Sequence, residues 1–453
     1  MIGESRIKKG SGLVITGGDL RPNRVDMVAG IDAGSTQTRV ALADARDVPA
    51  LIDNSNPSKV LEILKKTYII PSTYATAGDN REILPASDNL EDNYDSTIVA
   101  VRVSAERPML TRHRVLRGRK MDDIKGVVAR FMDSSTNKSD NYVFYTNIID
   151  ALGYAVLQKY NNAVPREVNL QLFLSVRPKE LSSICRTKMI ENLVGQFLFS
   201  WKDVSITINI NHLEFSTEPE AQVFGTTTMC DLHYANGDGE KYKEQADNLA
   251  DTGTYIHIEG GGSSIGVEVI HNGQLVDSCS STFQLGGNYM QQIFIDHMSD
   301  FMGRTVSTTA ADEALRTTLL RDGRETLDVS EIVADVKNQV AMDIVERIRH
   351  NVIDTNHWLS IQDVMFVSLG GRLFLPDEHG ISIGEYLEKY IHQMSPNTEV
   401  IVLGDNYIPQ GNLVMAVNEA IENEFIRVNN VDLGEGNSVP FEVAEVQDEG
   451  AAS

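Results

Sequence analysis

The chain has 453 residues, with 40 basic against 64 acidic, for a net charge of −24. A surface this acidic repels phosphate backbones and anionic lipid at long range, so neither direct nucleic-acid binding nor a membrane partner is expected. No run approaches the roughly 20 apolar residues needed to span a bilayer, the first residues lack the apolar core of a signal peptide, and the three cysteines are too scattered for a disulfide framework or a zinc site. These features together point to a cytoplasmic protein with more than one core.

Residues 1–26 are polar, glycine-containing and without period, and are expected to form a flexible extension. Residues 27–32 are an apolar strand. Residues 38–43 read as its hairpin partner across an Asp32-Ala-Gly-Ser turn. A basic cluster, Arg112, His113, Arg114, Arg117, Arg119 and Lys120, reads as a solvated loop or a protein-contact face. Apolar residues at 145, 148, 149, 152 and 156 keep helical spacing. Val168, Leu170, Leu172, Leu174 and Val176 alternate, so one face of a strand is expected to be buried. Val204, Ile206, Ile208 and Ile210 alternate again. Residues 231–251 are a polar, charged insertion, and residues 255–258 restart a strand. Steps of four from Ile332 to Val352 mark a long helix. Residues 364–369 form a last apolar strand that runs into Gly370 and Gly371. Residues 428–453 hold six carboxylates and no lysine or arginine, an acidic tail expected to be disordered. Strands followed by helices throughout argue an α/β fold.

Glycine-rich turns follow three strands: "GIDAGSTQT" from residue 30, "HIEGGGSSIG" from residue 257 and "VSLGGRLFLP" from residue 367. One such turn is usually only a turn. Two hairpins with small hydroxyl residues at their tips can grip phosphate oxygens with backbone N–H groups when they face each other. An acid at the base of each tip can hold a hydrated magnesium ion. Paired glycines at 370 and 371 permit close approach of a base and ribose.

These stretches resemble the phosphate and adenosine loops of the actin-like ATPase superfamily, whose relatives include the DnaK chaperones and the sugar kinases. Four secondary stretches are similar to family elements and occur in the family's order. They are "IIPSTYA" (69–75), "TEPEAQVFG" (217–225), "FQLGGNYMQQIFIDHM" (283–298) and "PQGNLVMAVNEAI" (409–421). The resemblance covers about residues 27–427 and lies nearest to bacterial, plasmid and phage actin homologues of the ParM and MreB type. It implies an α/β fold of two lobes, each a mixed sheet flanked by helices, with a nucleotide in the cleft between them. Lobe I would span 27–226, with an enlarged small subdomain at about 45–140. A polar insertion would follow at 227–252, lobe II at 253–390, and a closing strand and helix at 391–427.

The resemblance also implies roles. Asp32 would hold the magnesium shell; its ordinary alternative is a turn aspartate capping its own backbone. Gly34, Ser35, Thr36 and Thr38 would form the first phosphate loop, and Gly260, Gly261, Gly262, Ser263 and Ser264 the second. Glu218 would orient the attacking water. Gly370, Gly371 and Arg372 would flank adenine and ribose, with Arg372 either stacked on the base or turned to solvent. His257, inside a strand, is expected to be packed. Glu259 departs from the family, which places an aspartate there. Its longer arm would touch the magnesium ion, displace one of its waters, orient the nucleophile, or turn away into solvent or a salt bridge. The implied activity is Mg2+-dependent ATP hydrolysis coupled to self-assembly into filaments, serving plasmid or phage DNA segregation through an adaptor protein. The alternatives are a small-molecule kinase of the same superfamily and a chaperone-like or non-hydrolysing nucleotide-binding scaffold.

Overall fold

Residues 27–33 carry small and branched apolar side chains with no charge before Asp32, and the strand they form, Met27–Ala33, is buried at every position. It pairs antiparallel with Gln37–Asp44, placing Asp32 opposite Arg39 and Ala33 opposite Thr38. On its other edge it runs parallel to Glu167–Val176, which runs parallel in turn to Val204–Thr217. The computed structural model describes residues 25–34, 37–52, 56–72, 74–76, 94–117, 128–130, 137–161, 164–249, 253–272, 274–322, 325–403 and 406–426. The expected N-terminal extension, apart from Val25 and Asp26, and the acidic tail lie outside these residues.

The same strand order occurs twice. In the first sheet the sequence is Thr67–Pro71, Gln37–Asp44, Met27–Ala33, Glu167–Val176, Val204–Thr217. In the second it is Gln274–Leu275, Ile265–His271, Thr254–Gly260, Val364–Gly370, Glu399–Val402. Each begins with antiparallel strands, turns at the hairpin and ends with two parallel strands. The first sheet then continues through Gly195–Trp201, Tyr94–Val103, Arg112–Arg117, Tyr74–Thr76 and Val128–Arg130, so the long insert extends that sheet edge to edge.

The strand Glu167–Val176 departs from the expected half-burial. Gln171, Phe173 and Ser175 are as buried as their apolar neighbours. Helix Tyr142–Tyr160 covers one face of the sheet, and helix Ile408–Glu422 covers the other. The second helix lies so close that a Cβ on Gly30 would collide with the backbone of Pro409 and Leu413. Asn412 secures the contact by donating to the Ile31 carbonyl at 2.8 Å and accepting from the Ser216 hydroxyl at 2.6 Å.

Helix Glu218–Ala235 starts as its sequence dictates. Thr217 and Glu220 form a capping box, and Pro219 occupies the first turn. It crosses Ile408–Glu422 backbone to backbone, since side chains at Gly225 or Gly411 would strike Tyr407 or Ala221 carbonyl oxygens. Its other side meets the second sheet, where Val223 packs with Tyr255, Ile270 and Leu403. The polar stretch 231–251 is largely helical. The same helix runs into it, and Glu240–Leu249 packs alongside through His233 stacked on Tyr242 and through Cys230 with Gln245. The long helix expected at 332–352 is Ser330–Ile348, prolonged by a π-helical turn at Arg349–Ile353.

The basic cluster is mostly consumed internally. Arg114 pairs with Asp95 at 2.5 Å. Arg117, fully buried, pairs with Asp150 at 2.6 Å, donates to Asn147 and the Pro71 carbonyl, and lies over the Tyr74 ring. Of the cluster, Arg112 is exposed, while Arg119 and Lys120 lie outside the described residues. The three cysteines are buried and free.

Candidate functional site between the two hairpins

The first hairpin brings Asp32 to the end of its strand, 4% exposed. Its Oδ2 accepts from Arg39 Nη1 at 2.8 Å and from Asn406 Nδ2 at 3.3 Å. Arg39 also donates to Gln37 Oε1. Gly34 follows the acid, and its carbonyl accepts from Ser72 Oγ at 2.6 Å. Ser72 also bonds the buried Thr38 hydroxyl at 3.1 Å. Thr38 therefore braces the turn from behind, and its hydroxyl is engaged by Ser72. Ser35 and Thr36 lie outside the described residues.

The second hairpin places Glu259 at the matching position, opposite Gly266. Glu259 is 5% exposed, and among the described residues its Oε2 has no hydrogen-bond partner. Burial, with the charges of Asp32 and Glu218 nearby, pushes its pKa well above the carboxylate range, and Arg39 offsets this only in part. His257 Nε2 stands 3.6 Å from that oxygen. Burial pulls the His257 pKa down to about 3. Both groups thus favour their neutral forms and the contact is not an ion pair.

The loop after Glu259 is fixed from two sides. Gly261 donates to the Ser264 carbonyl, closing the turn. The carbonyls of Gly261 and Gly262 accept from Gly287 and Asn288, the first residues of helix Gly287–Met302. Gly286 makes that docking possible, because a side chain there would overlap Ser263 and Ser264 backbone. Gly260 lies against Leu373 and Phe374 of the short turn Arg372–Phe374, so the second and third glycine-rich turns touch. Gly370 and Gly371 face Glu259: a Cβ on either would run into its carboxylate, and Gly371 takes a φ of +89°. Their want of side chains is thus set by the protein's own packing. The side chain of Arg372 lies outside what is described.

Glu218, in the first turn of its helix, pairs with Lys138 at 2.5 Å. Lys138 sits in the turn Lys138–Asp140, and its N–H donates to Glu180, which is bound in turn by Arg177. Sequence reasoning missed both cations of the site. Arg39 carried a signal, since hairpin register places it opposite Asp32. Lys138 carried none, being far from Glu218 along the chain.

Asp32, Glu218 and Glu259 therefore converge from three elements, with Arg39 and Lys138 between and beside them. Among the described residues no three His, Cys, Asp or Glu side chains stand close enough to ligate a cation together. A divalent ion would fit here with its own water shell, facing the acids across those waters, as magnesium prefers. The unpartnered oxygen of Glu259 and the excess of acids over bases suit such a guest. No helix among the described residues is long and apolar enough to cross a membrane.

No protein-family model and no curated protein matches the chain. Solved structures do. Ta0583, an archaeal actin homologue, superposes with a TM-score of 0.57 at 15% identity, covering 87% of this chain and 99% of that one. A 15-stranded ParM filament from Clostridium botulinum gives 0.57 at 13%, covering 86% and 99%. Bacillus thuringiensis ParM with ATP gives 0.52 at 13%, covering 88% and 99%. The likeness runs across nearly the whole length of those proteins, and this chain has the actin-like fold, resembling ParM.

Proposed function

We propose that the protein is an actin-like ATPase that binds Mg-ATP between its two hairpins, hydrolyses it and polymerises into filaments. The observation that carries the reading is the convergence of Asp32, Glu218 and Glu259 between glycine-rich turns, with Arg39 and Lys138 as the compensating cations. Bound magnesium would supply positive charge to the phosphates and polarise the bond that breaks. The chain's own residues do the rest. Asp32 and Glu259 would hold the ion through its waters by accepting hydrogen bonds from them. The backbone of 260–264 and of the first turn cradles phosphate oxygens. Lys138 fixes the Glu218 carboxylate, which orients a water for attack in line with the leaving group. The filament similarity supports assembly of identical copies, and segregation of plasmid or phage DNA through an adaptor is the role we assign to it, since a −24 chain is ill suited to touch DNA itself.

High-speed sedimentation and phosphate release test the reading together. The protein is expected to pellet and release phosphate with Mg-ATP, to remain in the supernatant with EDTA, and to assemble more readily as salt screens its charge. Protein that stays in the supernatant at every salt and protein concentration would remove the filament, and protein that releases no phosphate would remove the ATPase.

A further inference from the structure

The second sheet holds a buried polar line that the proposed function leaves unused. His257 is wholly buried in the strand Thr254–Gly260, with Ile256 and Ile258 directed to the opposite face. Its register partner on the parallel neighbour is Ser368, and their side chains meet at Nδ1 and Oγ, 2.8 Å apart. Two residues on, on the same face, is Glu259. His257 Nε2 and Glu259 Oε2 are 3.6 Å apart, and among the described residues neither has a hydrogen-bond partner. The carboxylate is boxed on its other sides by the Gly370 and Gly371 backbone, and the imidazole edge and Gln222 close the same space.

A histidine kept only for packing would be better replaced by phenylalanine, because an unmet buried N–H keeps the full cost of its desolvation. A ring already tethered at Nδ1 has one use for Nε2, and the acceptor beside it among the described residues is the acid of the second phosphate turn. The row Ser368, His257, Glu259 is not a nucleophile with its base. Ser368 is fully buried at the centre of the sheet, and its hydroxyl is tied to the ring.

Resting on the ATPase reading, we propose that His257 is a positioning residue, held by Ser368 and donating from Nε2 to Glu259, which sets the carboxylate for the incoming Mg-ATP. The hydroxyl of Ser368 donates to Nδ1, so the ring carries its proton on Nε2. The 3.6 Å approach shortens to a hydrogen bond as the Glu259 carboxylate settles toward the ring.

The test uses the full chain with His257→Phe, His257→Gln and Ser368→Ala, alone and with Glu259→Ala. ATP affinity is measured with magnesium and with EDTA, and the imidazole tautomer is read by nitrogen-15 NMR of histidine-labelled protein. His257→Phe is expected to weaken Mg-ATP binding by about 10- to 100-fold, in line with the loss of an outer-shell partner. Metal-free ATP binding stays within about 2-fold of the parent, since the loss acts through the metal-facing acid. His257→Gln, which keeps a donor, recovers most of the loss, and Ser368→Ala falls between. In the Glu259→Ala background His257→Phe adds nothing, because it acts through that acid. The wild-type ring shows the Nε2-protonated tautomer and its signal moves in Glu259→Ala. An additive double variant, an Nδ1-protonated ring, or parent-like Mg-ATP binding in His257→Phe would overturn the proposal. If His257→Phe does not fold, His257→Gln and Ser368→Ala with the tautomer decide it. A wild type that fails to bind Mg-ATP overturns the ATPase reading and this inference with it, whereas normal wild-type binding with an indifferent His257 overturns the inference alone.

Discussion

The two hairpins share strand order and register and differ in what stands across from the acid. Asp32 faces Arg39, and Glu259 at the matching position faces Gly266. The first acid is therefore ion-paired before any ligand arrives. The second is buried with an oxygen unmet and its proton held tightly. One backbone pattern has produced a paired half and a half compensated only in part. A cation brought in with a ligand gains most beside Glu259, where desolvation has already been imposed and Arg39 answers it only in part.

Removing the compensation from the first half should have the largest effect. Arg39→Ala leaves Asp32 buried and unpaired and withdraws the charge that partly offsets Glu259, and is expected to cost about 3 kcal/mol in urea unfolding. A loss below about 1 kcal/mol, the worth of an ordinary surface pair, would break the comparison. Next is the acid that lies between the halves. Glu218→Gln should slow phosphate release about 100-fold while retaining ATP affinity, as expected for a lost water-positioning group. Unchanged release would remove Glu218 from the chemistry.

The second half is expected to gain from neutralisation. Because the folded pKa of Glu259 is raised above its usual 4.5, the fold binds the proton more tightly than the unfolded chain does. The stability tied to that proton is complete below pH 4.5 and is lost as pH rises through the folded value. Glu259→Gln should therefore raise the melting temperature of nucleotide-free protein at pH 8 by about 2 °C or more, with the gain vanishing near pH 4. Equal shifts at both pH values would show that packing, and not charge, governs the site. The smallest effect belongs to Gly266→Ala. A Cβ there would meet Pro219 Cγ at 3.4 Å, ordinary contact distance, so stability should change by no more than about 0.5 kcal/mol. A larger loss would mean that Gly266 is kept for space and not merely for want of charge.

The glycine turns and the elements behind them were legible because they are local. Strand Thr254–Gly260, helix Glu218–Ala235 with its Thr217 cap, and the docking entry at Gly286 lie where their residue patterns put them. What was hidden depends on contacts between distant segments. Lys138 meets Glu218 only because the edge-to-edge insert returns the chain to the cleft. Ser72 stands in the stretch 69–75 picked out by resemblance, but nothing in that stretch signals that it joins Thr38 to the Gly34 carbonyl. Arg114 and Arg117 look like surface charge in sequence and are spent inside on Asp95 and Asp150. The stretch 231–251 reads as polar insertion because its apolar residues are few. Ala246 and Leu249 are nonetheless enough to seat a helix against Cys230 and Tyr255.

Helix Ile408–Glu422 lies on the strand Met27–Ala33, and Asn412 reaches the Ile31 carbonyl. During synthesis this strand thus waits for a helix whose Asn412 lies 381 residues beyond Ile31 before one side of its sheet is covered. The second sheet, from Thr254 to Val402, draws all its strands from one continuous stretch and can close without that helix. The emerging first lobe therefore leaves an apolar face open for most of translation, a natural holding point for chaperones. A chain halted before residue 408 should show a protease-resistant second lobe beside a digestible first one.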